Sequence, residues 1–289
     1  MMLFRRKRKQ EFAKLARSIR DSVVTRQLQQ EARELKWLTQ PQAIADRDVV
    51  ISLTSYSKRL NDVYLVLESI AQQTVLPNRV ILWVSEEELT KDTLPLTLQK
   101  RLEFGLEIRF CRDIRSYKKL VPTLALCPDD IIITLDDDII YPHDTIENLI
   151  NEHQKHPQAI LGNRAHEMTF NGNQLLPYKK WRKEVEHHGE HILLTGCGAI
   201  LYPPYSLHDQ VKDEALFMTL CPHADDIWFY AMAKLQHSEI RKASGRNFDQ
   251  FVEIAHHQDI GLNKMNVDQG GNDHQLKAVI DYFQLKIKV

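Results

Sequence analysis

The chain has 289 residues, of which 43% are hydrophobic and 27% charged, and its net charge is −1. These proportions are typical of a soluble globular protein with room for one large domain or two small ones. The sequence has no run of 18 apolar residues, and its basic opening lacks the apolar core of a secretory signal. We therefore expect neither a membrane span nor secretion.

Two compositional features exclude further classes. The four cysteines, Cys111, Cys127, Cys197 and Cys221, form no Cys-x-x-Cys pair, so reduced thiols and a cytoplasmic location are expected. The first glycine is Gly105, so the first predicted strand is not followed by a glycine-rich turn. This argues against a dinucleotide-binding or P-loop protein.

Residues 1–40 form a basic leader. They hold eleven Lys and Arg and four Asp and Glu, a net charge of +7, so the remaining residues carry −8. Phe12, Leu15, Ala16 and Ile19 recur at helical spacing between basic residues, which predicts a helix. Such a segment suits an anionic membrane surface at the inner face of the cytoplasmic membrane. A solvated or partner-docking helix is an equal alternative.

A break around Pro41 divides the chain into a leader, residues 1–45, and a catalytic domain, residues 46–289. In the latter, apolar runs and helical spacings alternate. Strands are predicted at 49–53, 79–84, 107–110, 131–135, 191–194 and 198–202, and helices at 61–71, 94–104, 116–126, 144–156, 225–235 and 273–285. This alternation predicts an α/β fold, an αβα sandwich with a mostly parallel central sheet.

The most informative segment is residues 131–138. The apolar run that ends at Leu135 predicts a buried strand, and Asp136, Asp137 and Asp138 follow it directly. The carboxyl ends of strands are where open α/β sheets bind ligands. Three adjacent carboxylates repel one another, and a divalent cation such as Mg²⁺ or Mn²⁺ relieves that repulsion. The alternative is a solvated acidic turn that caps the next helix.

Four segments in order resemble the GT-A glycosyltransferases grouped in family 2. They are residues 51–59, which are similar to the opening nucleotide-binding strand; 136–138, similar to the DxD motif; 195–199, similar to the acceptor-side loop; and 224–228, similar to the acidic pair that holds the catalytic Asp. Asp225 stands where the family often has Glu. The resemblance spans roughly residues 48–260 and implies a GT-A type fold.

The resemblance implies roles for residues that bind the donor. Asp138 is expected to ligate the metal directly, and Asp136 to contact the ribose or a metal-bound water. Asp137 belongs to the predicted nucleotide site, although neighbouring side chains of an extended segment face opposite ways. Further donor contacts are assigned to Thr54 and Tyr56 at the nucleobase and to Arg59, Lys118 and Lys119 at the base or diphosphate. His257, or its neighbour His256, is expected to complete the metal sphere; a solvated or core histidine is the alternative.

Asp226 matches the catalytic Asp of the family, and Asp225 is the adjacent candidate. A carboxylate near the acceptor hydroxyl accepts its proton as the new bond forms. A lone base opposite the leaving group predicts inversion at the anomeric carbon. The alternative for Asp225 is a cap of the following helix.

The sequence therefore predicts an inverting, metal-dependent glycosyltransferase. A nucleotide sugar, most simply a UDP-hexose, would be the donor, and a glycan or glycolipid of surface polysaccharide or lipopolysaccharide synthesis the acceptor. No nucleic acid partner is expected. The alternatives are a sugar-phosphate nucleotidyltransferase, whose glycine-rich, lysine-containing loop is missing from residues 48–60, and a non-catalytic module that binds glycans through a metal.

Overall fold

Seven strands form the central sheet of the computed structural model, which describes residues 2–90, 93–245, 248–254, 266 and 270–287. From one edge to the other they are β3 (Leu106–Cys111), β2 (Arg79–Ser85), β1 (Val49–Thr54), β4 (Ile131–Leu135), β11 (Ile200–Tyr202), β6 (Ile160–Gly162) and β12 (Ile240–Lys242). β1, β2, β3 and β4 are mutually parallel, and β12 is parallel to β6. β11 is antiparallel to both of its neighbours. The predicted α/β fold with a mostly parallel sheet is confirmed.

Helices cover both faces of the sheet. They are α1 (Met2–Glu31), α2 (Tyr64–Ala71), α3 (Leu96–Leu102), α4 (Val121–Leu126), α5 (Thr145–Lys155), α6 (Glu214–Leu220), α7 (Asp225–Leu235) and α8 (Gly271–Phe283). Each face of the sheet has its own hydrophobic core, and successive residues of a strand point into one core or the other. Ile51 packs in the core that includes α2 and α5, whereas Ile132 packs in the core that includes α7 and α8. The period of two along each strand accounts for this division.

Short strands complete the second half of the chain. They are β5 (Ile139–Ile140), β7 (Ala165–Glu167), β8 (Phe170–Asn171), β9 (Gln174–Leu175), β10 (Ile192–Leu194) and β13 (Val252–Glu253). β13 pairs with β5, directly after the aspartate run, and β10 pairs with β7. β6, β12 and α6 were not predicted, because segments this short carry little periodicity.

The basic leader is helical, but its helix ends at Glu31 and not near residue 40. Beyond the helix, tertiary contacts fix the backbone: the Leu38 N–H donates to the Phe104 carbonyl over 2.9 Å, and Arg101 donates to the Lys36 carbonyl over 2.9 Å. Leu28 and Leu38 are buried in the core. The second half of the leader is thus packed against the domain.

Cys111, Cys127, Cys197 and Cys221 are free thiols. Across the described ranges, no helix combines the length and apolar character needed to cross a membrane.

Candidate active site

The carboxyl ends of β1 and β4 meet at one edge of the sheet, because the two strands are parallel and adjacent. The segment after β1 carries Ser55 and Arg59, and the segment after β4 carries the three aspartates. Asp137 points inward: its Oδ2 accepts from Ser55 Oγ over 2.7 Å and its Oδ1 from Arg59 Nη1 over 2.7 Å. Asp137 and Arg59 are both buried, so this pair joins the two strand ends.

Asp138 lies nearer the surface, with 18% of its side chain exposed. Its Oδ2 lies 3.2 Å from Arg59 Nη2, so the guanidinium bridges Asp137 and Asp138. Burial, with the adjacent charges of Asp136 and Asp137, raises the pKa of Asp138 to about 7. Burial is the largest of these causes, and the charge of Arg59 opposes it.

β13 brings a distant part of the chain to the same place. The Ile254 N–H donates to the Asp138 carbonyl over 2.8 Å. His256 and His257 follow in sequence but lie outside the described residues.

Lys119 is the second cation of the site, and it is buried. Its Nζ lies 2.9 Å from Asp136 Oδ1 and 3.0 Å from Asp225 Oδ2. Burial lowers the pKa of this ammonium, but the charges of Asp136, Asp225 and Asp226 outweigh burial and raise it well above its ordinary value. Lys119 is therefore a fixed positive charge between carboxylates from distant parts of the chain.

Asp225 and Asp226 open α7 in different environments. Asp225 is buried, accepts from Ser116 Oγ over 2.9 Å and pairs with Lys119. The N-cap of α7 is Ala224, and no side chain caps the helix. The predicted alternative of a capping hydrogen bond from Asp225 is thus wrong, because Lys119 and Ser116 engage its carboxylate; its charge does lie in the first turn of α7, which the helix N-terminus favours.

The Asp226 carboxylate accepts the Gly196 N–H with both oxygens, at 3.1 and 3.2 Å. Burial and the charge of Asp225, opposed by Lys119, raise the pKa of Asp226 to about 7. A carboxylate with a pKa near neutrality can accept a proton and release it again at the pH of the cell.

Gly196 is the point where these groups converge. A Cβ built there would lie 2.6 Å from Lys119 Nζ, 3.3 Å from Asp226 Oδ1 and 3.4 Å from Asp136 Oδ1. The first of these distances is shorter than van der Waals contact allows, so only glycine fits without displacing Lys119. The segment 195–198 thus covers a corner lined by carboxylates from β4 and α7.

The other residues that were predicted to bind the nucleotide do not all lie at the aspartate run. Thr54 Oγ1 donates to the Trp83 carbonyl over 2.9 Å, and the Arg59 guanidinium carbon lies 5.3 Å from the centre of the Tyr56 ring. Lys118 is buried and pairs with Asp113, which precedes it in the chain. Of the two adjacent lysines, Lys119 is the one that joins the carboxylate cluster.

Arg164 was not predicted from the sequence. Its Nη1 donates to Cys197 Sγ over 2.9 Å and to Thr195 Oγ1 over 3.3 Å, and its guanidinium carbon lies 4.4 Å from the centre of the Phe248 ring. Arg164 therefore supports the segment that covers the corner. It follows β6, a strand too short to predict, and no local pattern marks it.

The aspartate run offers some of the ligands that a divalent metal ion would need. Asp136 and Asp138 offer carboxylate oxygens at the strand end, which suit Mg²⁺ or Mn²⁺. Asp137 has both oxygens engaged by Ser55 and Arg59. In the described ranges, no three His, Cys, Asp or Glu side chains are arranged to hold a metal ion. A cation here would take its remaining ligands from substrate oxygens and water, as Mg²⁺ usually does.

No family model matches this sequence, and no curated protein matches it. Among solved structures, HddC from Yersinia pseudotuberculosis is 11% identical with a TM-score of 0.43, over 76% of this chain and 99% of that chain. A Bacillus anthracis protein provisionally named a glucose-1-phosphate thymidylyltransferase, in complex with sucrose, is 10% identical with a TM-score of 0.40, over 79% of this chain and 95% of that chain. These likenesses are too distant to assign an activity.

Proposed function

We propose that the chain is an inverting, metal-dependent glycosyltransferase of the GT-A type. It would transfer a hexose from a nucleotide sugar, most simply a UDP-hexose, to a glycan or glycolipid acceptor. The observation that supports this is the common corner at Gly196, where Asp136 Oδ1 from the end of β4 and Asp226 Oδ1 from α7 lie 3.4 and 3.3 Å from a Cβ built on that glycine. A donor-side carboxylate and a candidate base thus lie side by side.

On the donor side, Asp138 and Asp136 would hold Mn²⁺ or Mg²⁺, with His257 as a further ligand proposed from the sequence. The cation would neutralise charge on the diphosphate leaving group. Arg59 holds Asp138 in place through its 3.2 Å contact. Thr54, Tyr56 and Asp137 belong to the wall of the proposed nucleotide site, Tyr56 as a stacking face for the base. Lys118 belongs to its outer end, near Asp113.

On the acceptor side, Asp226 would accept the proton of the attacking hydroxyl. The acceptor oxygen forms a bond to the anomeric carbon as the bond from that carbon to the diphosphate oxygen breaks. One displacement inverts the configuration. The Gly196 N–H fixes the orientation of the Asp226 carboxylate. Lys119 holds Asp225 beside it and limits the negative charge of the corner.

The proposed acceptor is a glycan or lipid-linked sugar of surface polysaccharide or lipopolysaccharide synthesis. The proposed location is the cytoplasm, at the inner face of the cytoplasmic membrane. The free thiols of the four cysteines are compatible with a reducing compartment.

A screen of nucleotide sugars would test the activity. Purified protein with Mn²⁺ is incubated with UDP-, GDP- and dTDP-hexoses, and release of nucleoside diphosphate is measured. Parallel samples receive a nucleoside triphosphate with a hexose 1-phosphate, and pyrophosphate is measured. We expect diphosphate release with one class of donor, and its loss in Asp226→Asn. Pyrophosphate release would assign the chain to the nucleotidyltransferases, and binding without turnover in either assay would favour a non-catalytic module.

A further inference from the structure

α1 carries an exposed row of apolar side chains. Phe12 is 75% exposed, Leu15 58%, Ile19 56% and Val23 60%. Their spacing of three and four residues places them on one face of the helix. We name this face the α1 stripe (Phe12, Leu15, Ile19 and Val23). Four large apolar side chains in one row, all more than half exposed, mark an interaction surface.

In its second half, the opposite face of the same helix contacts the domain. Leu28 is buried in the core, and Val24 packs against it. Arg20 Nη2 donates to the Phe251 carbonyl over 3.2 Å, and Arg17 Nη1 lies 3.3 Å from Asp249 Oδ1. The second half of α1 is therefore held on the domain, whereas every residue from 11 to 19 is exposed, so the first three residues of the α1 stripe lie on a part of the helix that the domain does not cover.

The positive charge of the leader indicates what kind of surface the α1 stripe would bind. Arg8 and Arg26 are exposed and lie at helical spacing from the two ends of the α1 stripe, on the same face. The sequence also has five consecutive basic residues at 5–9. The leader carries +7 and the rest of the chain −8, so the positive charge is concentrated where the apolar stripe lies. A second copy of the chain would bring like charges together at such a contact.

We propose that the α1 stripe, with Arg8 and Arg26, docks on a membrane rich in anionic phospholipid. The helix would lie in the plane of the interface, with its apolar side chains among the acyl chains and its cations among the headgroups. The inference is independent of the transfer reaction, because it rests only on the exposed face of α1. The core-facing contacts of Leu28 and Arg20 would then orient the whole domain on the surface.

Cosedimentation with vesicles tests the proposal. The full chain is mixed with phosphatidylcholine vesicles that contain 30% or no phosphatidylglycerol, at 50 and 300 mM KCl. We expect binding only to the anionic vesicles, and weaker binding at high salt. The stripe variant Phe12→Ser with Ile19→Ser should lose on the order of tenfold in partitioning or more. Arg8→Gln with Arg26→Gln should reduce binding at low salt most.

The matched control is Leu96→Ser on α3, a leucine that is 64% exposed but lies outside the leader. Its partitioning should equal that of the unmodified chain. All variants change exposed residues, so their melting temperatures should agree with that of the unmodified chain. The proposal is overturned if the unmodified chain does not bind anionic vesicles, or if the stripe variant binds as well as the Leu96 control. Concentration-dependent self-association that the stripe variant abolishes would assign the stripe to a second copy and also overturn it.

Discussion

Lys119 Nζ lies 2.9 Å from Asp136 Oδ1 and so ties the segment that precedes α4 to the aspartate run that follows β4. The same ammonium lies 3.0 Å from Asp225 Oδ2 at the start of α7. One buried cation therefore holds together two acidic motifs that are about ninety residues apart in the sequence. Gly196 covers this ammonium so closely that a methyl group would displace it.

Gly196→Ala should consequently lower turnover while the protein stays folded. The added Cβ would lie 2.6 Å from Lys119 Nζ, and displacement of that ammonium would shift Asp225 and Asp136. A misplacement of about 1 Å at a reacting centre can cost about 10²-fold in rate. Gly189→Ala is the matched control, since a Cβ there meets no atom within 4 Å. Donor turnover that is equal in the two variants would show that the contact with Lys119 is unimportant for activity.

Substitutions of Asp137 and of Asp138 should have different effects, because one residue is proposed to stabilise the fold and the other to bind the metal ion. Asp138→Ala should weaken Mn²⁺-dependent UDP binding by about 10- to 100-fold or more, since a proposed ligand is lost, and leave the melting temperature nearly unchanged. Asp137→Asn should instead lower the unfolding free energy by roughly 2 kcal/mol or more, because a buried partner of Arg59 is removed. Calorimetry with UDP and Mn²⁺, beside thermal melts, separates the two effects. Unchanged UDP affinity in Asp138→Ala would contradict the metal assignment.

Much of this arrangement follows from the sequence, and the failures have physical causes. The bounds of β4 and α7 agree with their predicted bounds, because an apolar run that ends in aspartates and a regular helical spacing are strong local signals. β6 and β12 were missed because three residues show no period. The sequence could not decide which of Lys118 and Lys119 reaches the aspartates, since adjacent residues of a short turn differ only in direction. The role of Arg164 could not be predicted either, because its contact with Cys197 depends on where β6 lies in the sheet.

Arg20→Gln should loosen the strand beside Asp138. Arg20 donates to the Phe251 carbonyl, and β13 follows directly and ends near Ile254, whose N–H bonds to the Asp138 carbonyl. Loss of a partly exposed hydrogen bond costs about 1 kcal/mol, which corresponds to roughly fivefold faster amide exchange. Hydrogen exchange at Ile254 measures this. Arg26→Gln, on the exposed face of the same helix, should leave that amide as protected as in the unmodified chain.

His166 should make the fold sensitive to mild acid. It is buried, and burial, with a smaller contribution from Arg164, lowers its pKa to about 4. The unfolded chain takes up this proton near pH 6.5, whereas the native chain takes it up only near pH 4. The contribution to stability is therefore complete above pH 6.5 and is lost as the pH falls towards 4. Between about pH 7 and pH 5 the loss should be about 2 kcal/mol.

Denaturant unfolding of the unmodified chain and of His166→Gln at both pH values checks this. The glutamine can still accept the Glu184 N–H that Nδ1 accepts over 3.1 Å, so the variant should unfold with a smaller difference between the two pH values. His143→Gln is the control, because the His143 side chain is 74% exposed. If His166→Gln loses as much stability on acidification as the unmodified chain, His166 is not the group responsible.

Asp226→Asn and Asp225→Asn should separate proton transfer from charge balance. In Asp226→Asn the introduced amide is nearly isosteric with the carboxylate but a poor proton acceptor, so turnover should fall by about 10²- to 10⁴-fold with donor binding retained. Asp225→Asn removes one of the two anions paired with Lys119, so it should lower both stability and turnover, turnover less than in Asp226→Asn. Initial rates at saturating donor, with UDP affinity and thermal melts for each variant, give the comparison. Turnover lost in Asp225→Asn but kept in Asp226→Asn would move the base to Asp225. Near-normal turnover in both variants would defeat the inverting mechanism, because a single displacement needs a base at this corner.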